Sequence, residues 1–276
     1  MTSAPQPPGV LGTAWLTAAQ TLQAVVRVRR VVTLLLLVLG YAAVTVLLGN
    51  RAKEGMDLRV LYCTLAWWLV GTAILPFASM YFGVQAVHGD IEDRTSCYLF
   101  VRPIDRTGLL LGKWAAAAVL AVVTTCLTTA APFFALAAQP GGWGDGVDMA
   151  ALRTFVLAFA LGAVAYVSVA VLFGALFRRP LVWSALFVVG LQMVTGNLPV
   201  SAGLRRLTIT DPMRRLVLDG IEPDQRLTQL LWPAERRIGF DQIGQPVCDL
   251  LVLTCVTLLL AIWRYRRAEY DSRARD

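Results

Sequence analysis

Residues 154–177 read TFVLAFALGAVAYVSVAVLFGALF, 24 consecutive residues without Asp, Glu, Lys, Arg or His. A helix needs about 20 mostly apolar residues to cross the hydrocarbon core of a bilayer. This stretch is apolar on every side, as lipid-embedded or bundle-buried helices are, and it lacks the two-residue alternation of membrane barrel strands. The stretch therefore predicts a transmembrane helix.

Five further runs without charge or histidine share this character, and the whole chain is 57% hydrophobic and 16% charged, with a mean hydropathy of +0.62. The run Leu250–Trp263 has only 14 residues, a rise of about 21 Å, so we expect Cys248 and Asp249 to form the outer turn of that helix. We predict an all-α polytopic membrane protein, one transmembrane domain over residues 1–276, with six transmembrane helices at 31–48, 60–87, 109–138, 152–177, 180–199 and 246–263.

The basic residues predict the orientation, because cytoplasmic loops of membrane proteins are enriched in Lys and Arg near the ends of the spans. Four groups fall on one face if both termini are cytoplasmic: Arg27, Arg29 and Arg30; Arg94, Arg102, Arg106 and Lys113; Arg178 and Arg179; Arg264, Arg266, Arg267, Arg273 and Arg275. We expect a multi-pass protein of a plasma membrane or a bacterial inner membrane, with a cytoplasmic tail at 264–276. The net charge of +7 then belongs mostly to lipid anchors and not to nucleic-acid binding.

Two segments are predicted to lie outside the spans. Residues 14–30 mix apolar residues with Thr and Gln and end in three arginines, a pattern typical of an interfacial helix; an early start to the first span is the alternative. In the extracytoplasmic segment 201–245, Asp211 is a potential N-cap and Gly220 a potential C-cap, which predicts a helix at 212–219. A second helix is predicted at 223–232. We place both on the outer membrane surface or the outer ends of the bundle, with a solvated loop as the alternative.

Catalytic and metal-binding signals are weak in this sequence. His88 is the single histidine, and the cysteines show no metal-ligand spacing, so we predict no metal site and no catalytic residues. The stretch GLLLGKW around Lys113 has three residues between its glycines and Trp114 in place of Ser or Thr, so it does not build a nucleotide-binding phosphate loop. Pairing of Cys63 with Cys248 is left open.

Several polar residues fall inside the predicted spans. Such hydroxyl and amide groups commonly hydrogen-bond across helices or back onto backbone carbonyls, and we favour that role over substrate contact. Apart from Asp249, no charged residue is predicted deep in the bilayer, which disfavours a proton-driven pump and a small charged ion as cargo. The polar residues are Thr124, Thr125, Thr128, Thr129 and Ser168, together with the membrane candidates Gln85, Gln192, Asn197 and Asp249.

The stretch HGDIEDRTSCYLFVRPIDRTGLLLGK, residues 88–113, places four acids and four bases between two long apolar runs. It resembles the cytoplasmic loop of ABC transporter permeases of the type-2 exporter class, which has Glu-x-x-Gly-Thr, an apolar stretch, Pro-Ile/Leu-Ser-Arg and Leu-Leu-Gly-Lys. Glu92 and Thr95 are three apart, one fewer than in that pattern, while Pro-Ile-Asp-Arg occupies 103–106 and Leu-Gly-Lys occupies 111–113. Arg94 and Asp105 depart from the pattern, which has Gly and Ser at these places.

The resemblance implies a permease that dimerises, as a homodimer or heterodimer, and docks separate cytosolic ATPases through a coupling loop at 88–108. ATP and magnesium would be bound by the ATPase, because this chain has no Walker motif and needs no cofactor of its own. A membrane anchor that recruits a cytosolic partner without transport is the alternative, and a substrate is not predicted. The residues implied in partner binding are Glu92, Asp93, Arg94, Thr95, Tyr98, Pro103, Arg106 and Lys113.

Overall fold

The structure, a computed structural model, describes residues 10–25, 28–52, 58–92, 106–139, 148–194, 208–221 and 244–267. Within these ranges the chain is helical and contains no strand, which confirms the predicted all-α class. The predicted helix at 223–232 and the cytoplasmic tail beyond Arg267 lie outside the described residues.

Eight helices are labelled here in chain order across the described residues. Two of the eight, α3 and α6, combine α-helical and π-helical pieces. The eight helices are α1 (Val10–Val25), α2 (Val28–Ala52), α3 (Leu58–Leu65, the π-helical Ala66–Ile74 and Leu75–Glu92), α4 (Arg106–Ala137), α5 (Met149–Leu176), α6 (Pro180–Leu186 and the π-helical Phe187–Val194), α7 (Thr210–Gly220) and α8 (Gly244–Arg267).

Four of these helices are long and apolar enough to cross a membrane, counted over the described residues: Leu58–Val87, Thr107–Ala137, Met149–Leu176 and Gly244–Arg267. The protein is therefore a multi-pass membrane protein. Helices α2 and α6, which the sequence predicts as the first and fifth spans, have shorter apolar parts, Val38–Asn50 and Pro180–Gly190. The last helix begins at Gly244 and therefore includes Cys248 and Asp249, as predicted. These residues extend its short apolar run to the length that crossing a membrane requires.

Helix α5 is the centre of the bundle and the most buried of the four long helices. Its first turn is fixed by Asp148, whose side-chain carboxylate accepts a hydrogen bond of 3.0 Å from the backbone N–H of Ala150. Small residues bring α5 against α3, since Gly83 faces Ala170 and Gly174 faces Val87. Along this contact the residue numbers of α3 and those of α5 increase in the same direction, so the two helices are parallel.

The other helices complete the bundle around α5. The indole N–H of Trp114 in α4 donates a hydrogen bond of 2.9 Å to the Ser168 hydroxyl of α5. At the opposite end, the Tyr62 ring of α3 makes edge-to-face contacts with Phe133 of α4 and Phe155 of α5, with centroids 5.4 and 5.8 Å away. The contacts place the start of α4 beside the far half of α5, so α4 runs antiparallel to α3 and α5.

One end of the bundle collects the chain segments that the sequence predicts to be cytoplasmic. Helix α3 ends there at Glu92, and α4 begins there at Arg106. Tyr265, near the end of α8, belongs to the same apolar cluster as Leu110. At the step from α5 to α6, Phe177 stacks on Trp183 at 4.8 Å. The basic clusters that flank Tyr265 and Phe177 are therefore at the same end as the loop between α3 and α4.

Helix α7 (Thr210–Gly220) includes the helix predicted at 212–219. A Cβ on Gly220 would lie 2.5 Å from Thr154 Oγ1, and one on Gly162 would lie 2.3 Å from Met213 Sδ. Helix α7 is thus antiparallel to α5 along its first half, with Gly220 beside the start of α5. Met213 and Val217 are fully buried, so of the two predicted placements, on the membrane surface or packed on the ends of the bundle, the contacts favour packing against the bundle.

Candidate functional site

The loop between α3 and α4 is the predicted partner site, and the structure describes its two ends. The backbone of Glu92 closes α3, and that of Arg106 opens α4. Asp93, Arg94, Thr95, Tyr98 and Pro103 lie outside the described residues, so their roles remain predictions. Because the loop joins two long helices of the bundle directly, a force on the loop acts on both of them.

Lys113 is the one predicted contact residue of this loop whose side-chain burial is described. It lies on the second turn of α4 and is 6% exposed. A buried ammonium group requires polar or charged partners in its surroundings, and Lys113 has an interaction within the chain. Its part in binding a partner subunit remains a prediction.

The glycines of GLLLG, which do not form a phosphate loop, form a close contact between α4 and α1. A Cβ on Gly108 would lie 2.1 Å from Thr13 Oγ1 and 2.7 Å from the Val10 carbonyl oxygen. A Cβ on Gly112 would lie 2.2 Å from Thr17 Oγ1 and 2.3 Å from the Ala14 carbonyl oxygen. Only glycine allows this approach, because every other residue would place a Cβ atom inside α1.

We call this contact, formed by Gly108 and Gly112 with Thr13 and Thr17, the glycine seam. The Thr13 hydroxyl donates to the Val10 carbonyl at 2.8 Å, and the Thr17 hydroxyl to the Thr13 carbonyl at 2.6 Å. Each hydroxyl thus donates to a carbonyl of α1 itself, and the two glycines bring the backbones of α1 and α4 into close contact. The small-x-x-x-small spacing of Gly108 and Gly112 is a known helix-packing signal in membranes, and sequence reasoning missed it while testing for a nucleotide site.

The polar residues inside the spans take the structural role that the sequence favours. Thr124 and Thr128 donate to the carbonyls of Leu120 and Thr124 at 2.8 and 2.9 Å, and Thr129 donates to Thr125 at 2.7 Å. Thr125 and Ser168 bond back one turn in the same way, to Ala121 and Val164. These hydroxyls are satisfied within their own helices, apart from Ser168, which also accepts from Trp114.

Gln192 has the most specific polar contact in the bundle. Its Oε1 atom accepts hydrogen bonds from the N–H groups of Ile209 and Thr210 at 3.2 and 3.3 Å, and from the Thr210 hydroxyl at 2.6 Å. The first N–H groups of a helix have no partner within the helix, and Ile209 has no polar side chain to cap them. Gln192 of α6 therefore caps α7 from another helix, in place of the predicted N-cap Asp211.

Charged residues are also buried beside this cap, contrary to the prediction. Asp211 and Arg214 are 7% and 8% exposed, and Asp211 forms an ion pair of 2.9 Å with Arg215. The guanidinium carbon of Arg214 lies 5.3 Å from the centre of the Trp67 ring, a cation–π geometry. The sequence placed these residues at a short helix of the extracytoplasmic segment 201–245, because span counting does not show how deeply such a helix enters the bundle. The sequence argument against a charged cargo therefore fails.

The remaining predicted residues are not gathered into one site. Gln85 is half-buried in α3, and Asp249 is exposed near the start of α8. Asn197 lies outside the described residues, as does the side chain of His88. Cys63 is buried and Cys248 is exposed, and no disulfide joins them.

The fold and these contacts define a class: a polytopic helical membrane protein with a charged loop connecting two central helices. Residues 18–270 match the family described as ABC-2 family transporter protein. The chain belongs to this family, so it has a permease-type role in membrane transport, and its family implies partnership with an ATPase subunit. Among curated proteins, none matches the chain.

Proposed function

We propose that this chain is the permease subunit of an ABC exporter, forms the substrate pathway, and is driven by a separate cytosolic ATPase through residues 88–108. The observation that supports this most is the position of the loop, whose motif residues lie between the end of α3 at Glu92 and the start of α4 at Arg106. ATP and magnesium are bound by the ATPase. Closure of the ATPase then moves α3 and α4, with free energy supplied by contacts that differ between the two states.

The proposed topology has six spans, with α2 and α6 completing the four long helices. Exposed tryptophans support a membrane interface at the loop end of the bundle. Trp183 at the start of α6 and Trp263 near the end of α8 are 46% and 53% exposed, and Arg267 lies over the Trp263 ring at 4.4 Å. Trp is enriched at both membrane interfaces, whereas Arg is enriched on the cytoplasmic side, so the arginines lead us to place this end, and both termini, in the cytoplasm.

Helix α1 is proposed to lie at this same interface. It contains no charged residue, and the side facing away from α4 exposes Leu11, Trp15 and Leu16 at 86%, 77% and 55%. Such a face fits the boundary between headgroups and acyl chains. The structure describes helix at Val10–Val25 and again from Val28, and the interfacial placement of residues 14–30 is part of this proposal, with an early start to the first span as the alternative.

The orientation has a direct test by cysteine labelling in intact cells, in a variant with the five native cysteines replaced by serine. A single cysteine at Arg179 is expected to react with a membrane-impermeant maleimide only after permeabilisation. A single cysteine at Asp148, at the opposite end, is the matched control and is expected to react in intact cells. Labelling of the Arg179 position in intact cells would reverse the proposed topology.

The coupling role is tested by replacing the residues that flank the loop. Glu92→Ala and Arg106→Ala are expected to insert at wild-type levels but to lose the link between ATP turnover and export. The complex of permease and ATPase is reconstituted in vesicles, the cargo is identified by its stimulation of ATP hydrolysis, and flux is then measured. Arg179→Ala removes an exposed arginine from the same end of the bundle and is expected to retain flux. Wild-type flux in both loop variants would reject the coupling role.

The same reconstitution separates transport from a recruiting anchor. A transporter is expected to show cargo-stimulated ATP hydrolysis and ATP-dependent flux. Stable binding of the ATPase without either response would support the anchor.

A further inference from the structure

We propose that α1 and the first two turns of α4 move as one rigid unit during the transport cycle, and that Gly108 and Gly112 are the residues that position this unit on the coupling loop. This inference rests on the proposed function of the loop. It assigns the glycine seam a mechanical role, in which displacement of the loop is passed to the N-terminal helix.

The first support is the position of the seam. Gly108 comes two residues after Arg106, where α4 begins, so the seam starts within one helical turn of the loop. Thr13 contacts Gly108, and Thr17 contacts Gly112 one turn later in both helices. Helix α1 therefore runs alongside α4 in the same direction for at least one full turn. A push on the loop therefore reaches α1 through two successive contacts.

The second support is the closeness of the contact. Carbonyl oxygens of Val10 and Ala14 would lie 2.7 and 2.3 Å from Cβ atoms on the two glycines, so backbone meets backbone. A contact through long side chains can yield by rotamer changes, whereas a backbone contact has no such freedom.

The opposite side of the same turns is held by the bundle. Leu109 and Leu110 are buried in an apolar cluster with Val87 of α3 and Tyr265 of α8. The start of α4 thus lies between α1 on one side and the ends of two spans on the other. If the loop moves the start of α4, the seam requires α1 to follow, and the exposed face with Leu11 and Trp15 moves with it through the membrane interface.

A label on the exposed face of α1 tests whether α1 follows the loop. Leu11 is 86% exposed, so Leu11→Cys in the cysteine-free background carries a polarity-sensitive fluorophore without entering the seam. The labelled permease is purified with the ATPase, and we expect the emission to differ between the complex without nucleotide and the complex trapped with ATP and vanadate. The same label at Leu157 of α5, which is 65% exposed, is the control for changes elsewhere in the bundle. Identical emission of the Leu11 label in both states, in a complex that hydrolyses ATP, would overturn the proposal.

A bulky residue in the seam gives the complementary result. Gly112→Val is expected to lower permease-dependent ATP hydrolysis at least about tenfold, while Gly40→Val, at a site where the described chain has no atom within 4 Å of a Cβ, leaves it unchanged. Normal turnover in Gly112→Val would overturn the proposal. If Gly112→Val does not yield folded protein, the fluorescence of the Leu11 label alone decides. If the wild-type chain retains no ATPase, the proposed function itself fails, whatever the label shows.

Discussion

Replacing Gly83 with valine is expected to remove most of the folded protein recovered in detergent. A Cβ at this position would lie 2.5 Å from the Ala170 Cβ and 3.0 Å from the Val167 carbonyl oxygen. Both obstacles are rigid, because one is attached directly to the backbone and the other is the backbone. Overpacking a core costs about 1–3 kcal/mol when side chains can adjust, and we expect a larger cost here because α3 and α5 must move apart along their whole contact.

The measurement is the yield of monodisperse protein on size exclusion and the melting temperature of the fraction that remains. Gly40→Val is the matched control, since it makes the same chemical change in a helix where the described chain leaves space around the Cβ. Equal yield and equal melting temperature for the two variants would contradict close packing of α3 on α5.

Replacing Gln192 with leucine is expected to release α7 from the bundle. The substitution keeps a similar size but removes the one oxygen that accepts from Ile209 N–H, Thr210 N–H and the Thr210 hydroxyl. Each buried donor without a partner costs about 1–3 kcal/mol, so the total destabilisation is expected to be several kcal/mol. The ion pair of Asp211 with Arg215 follows directly on this cap and is expected to become exposed with it.

Hydrogen exchange of the backbone amides in α7 measures this release, and thermal unfolding measures the total effect. Gln85→Leu is the control, because it removes a glutamine amide from a half-buried place in another span. Thr210→Val removes one of the three donors and is expected to have a smaller effect, since its backbone N–H still reaches Gln192. Unchanged exchange in α7 of Gln192→Leu would contradict the capping role.

Sequence reasoning predicted the class of fold well and the inner arrangement poorly. Long uncharged runs predicted spans at 60–87, 109–138 and 152–177, because a helix in lipid must be apolar on its whole surface, and the structure has long apolar helices at Leu58–Val87, Thr107–Ala137 and Met149–Leu176. Because such a helix is apolar on all sides, its sequence does not show which side packs against a neighbouring helix. A glycine that packs closely, such as Gly83, Gly108 or Gly112, cannot be told from Gly40 in the sequence, and only the structure shows its neighbours.

Hydrogen bonds of the polar residues within one helical turn could be predicted from the sequence, whereas those between distant residues could not. The threonines of α4 bond to carbonyls one turn earlier, which local spacing predicts. Gln192 bonds to residues 17 and 18 positions away, across a segment outside the described residues, and no local pattern indicates that pairing. The burial of Arg214, which lies in the helix predicted at 212–219, was missed for the same reason, since its cation–π partner Trp67 is more than a hundred residues earlier in the chain.

By itself, the sequence determined that this chain crosses a membrane as helices, because uncharged runs of bilayer length leave the backbone no other way to satisfy its hydrogen bonds in lipid. It also determined where charge concentrates between spans, including the loop at 88–108. The tertiary structure alone decided that α7 enters the bundle, that Gln192 caps it and that α1 lies against Gly108 and Gly112. These contacts depend on which apolar surfaces pack together. That choice is made by the shapes and hydrogen-bond geometry of residues far apart in the chain, which the local sequence does not show.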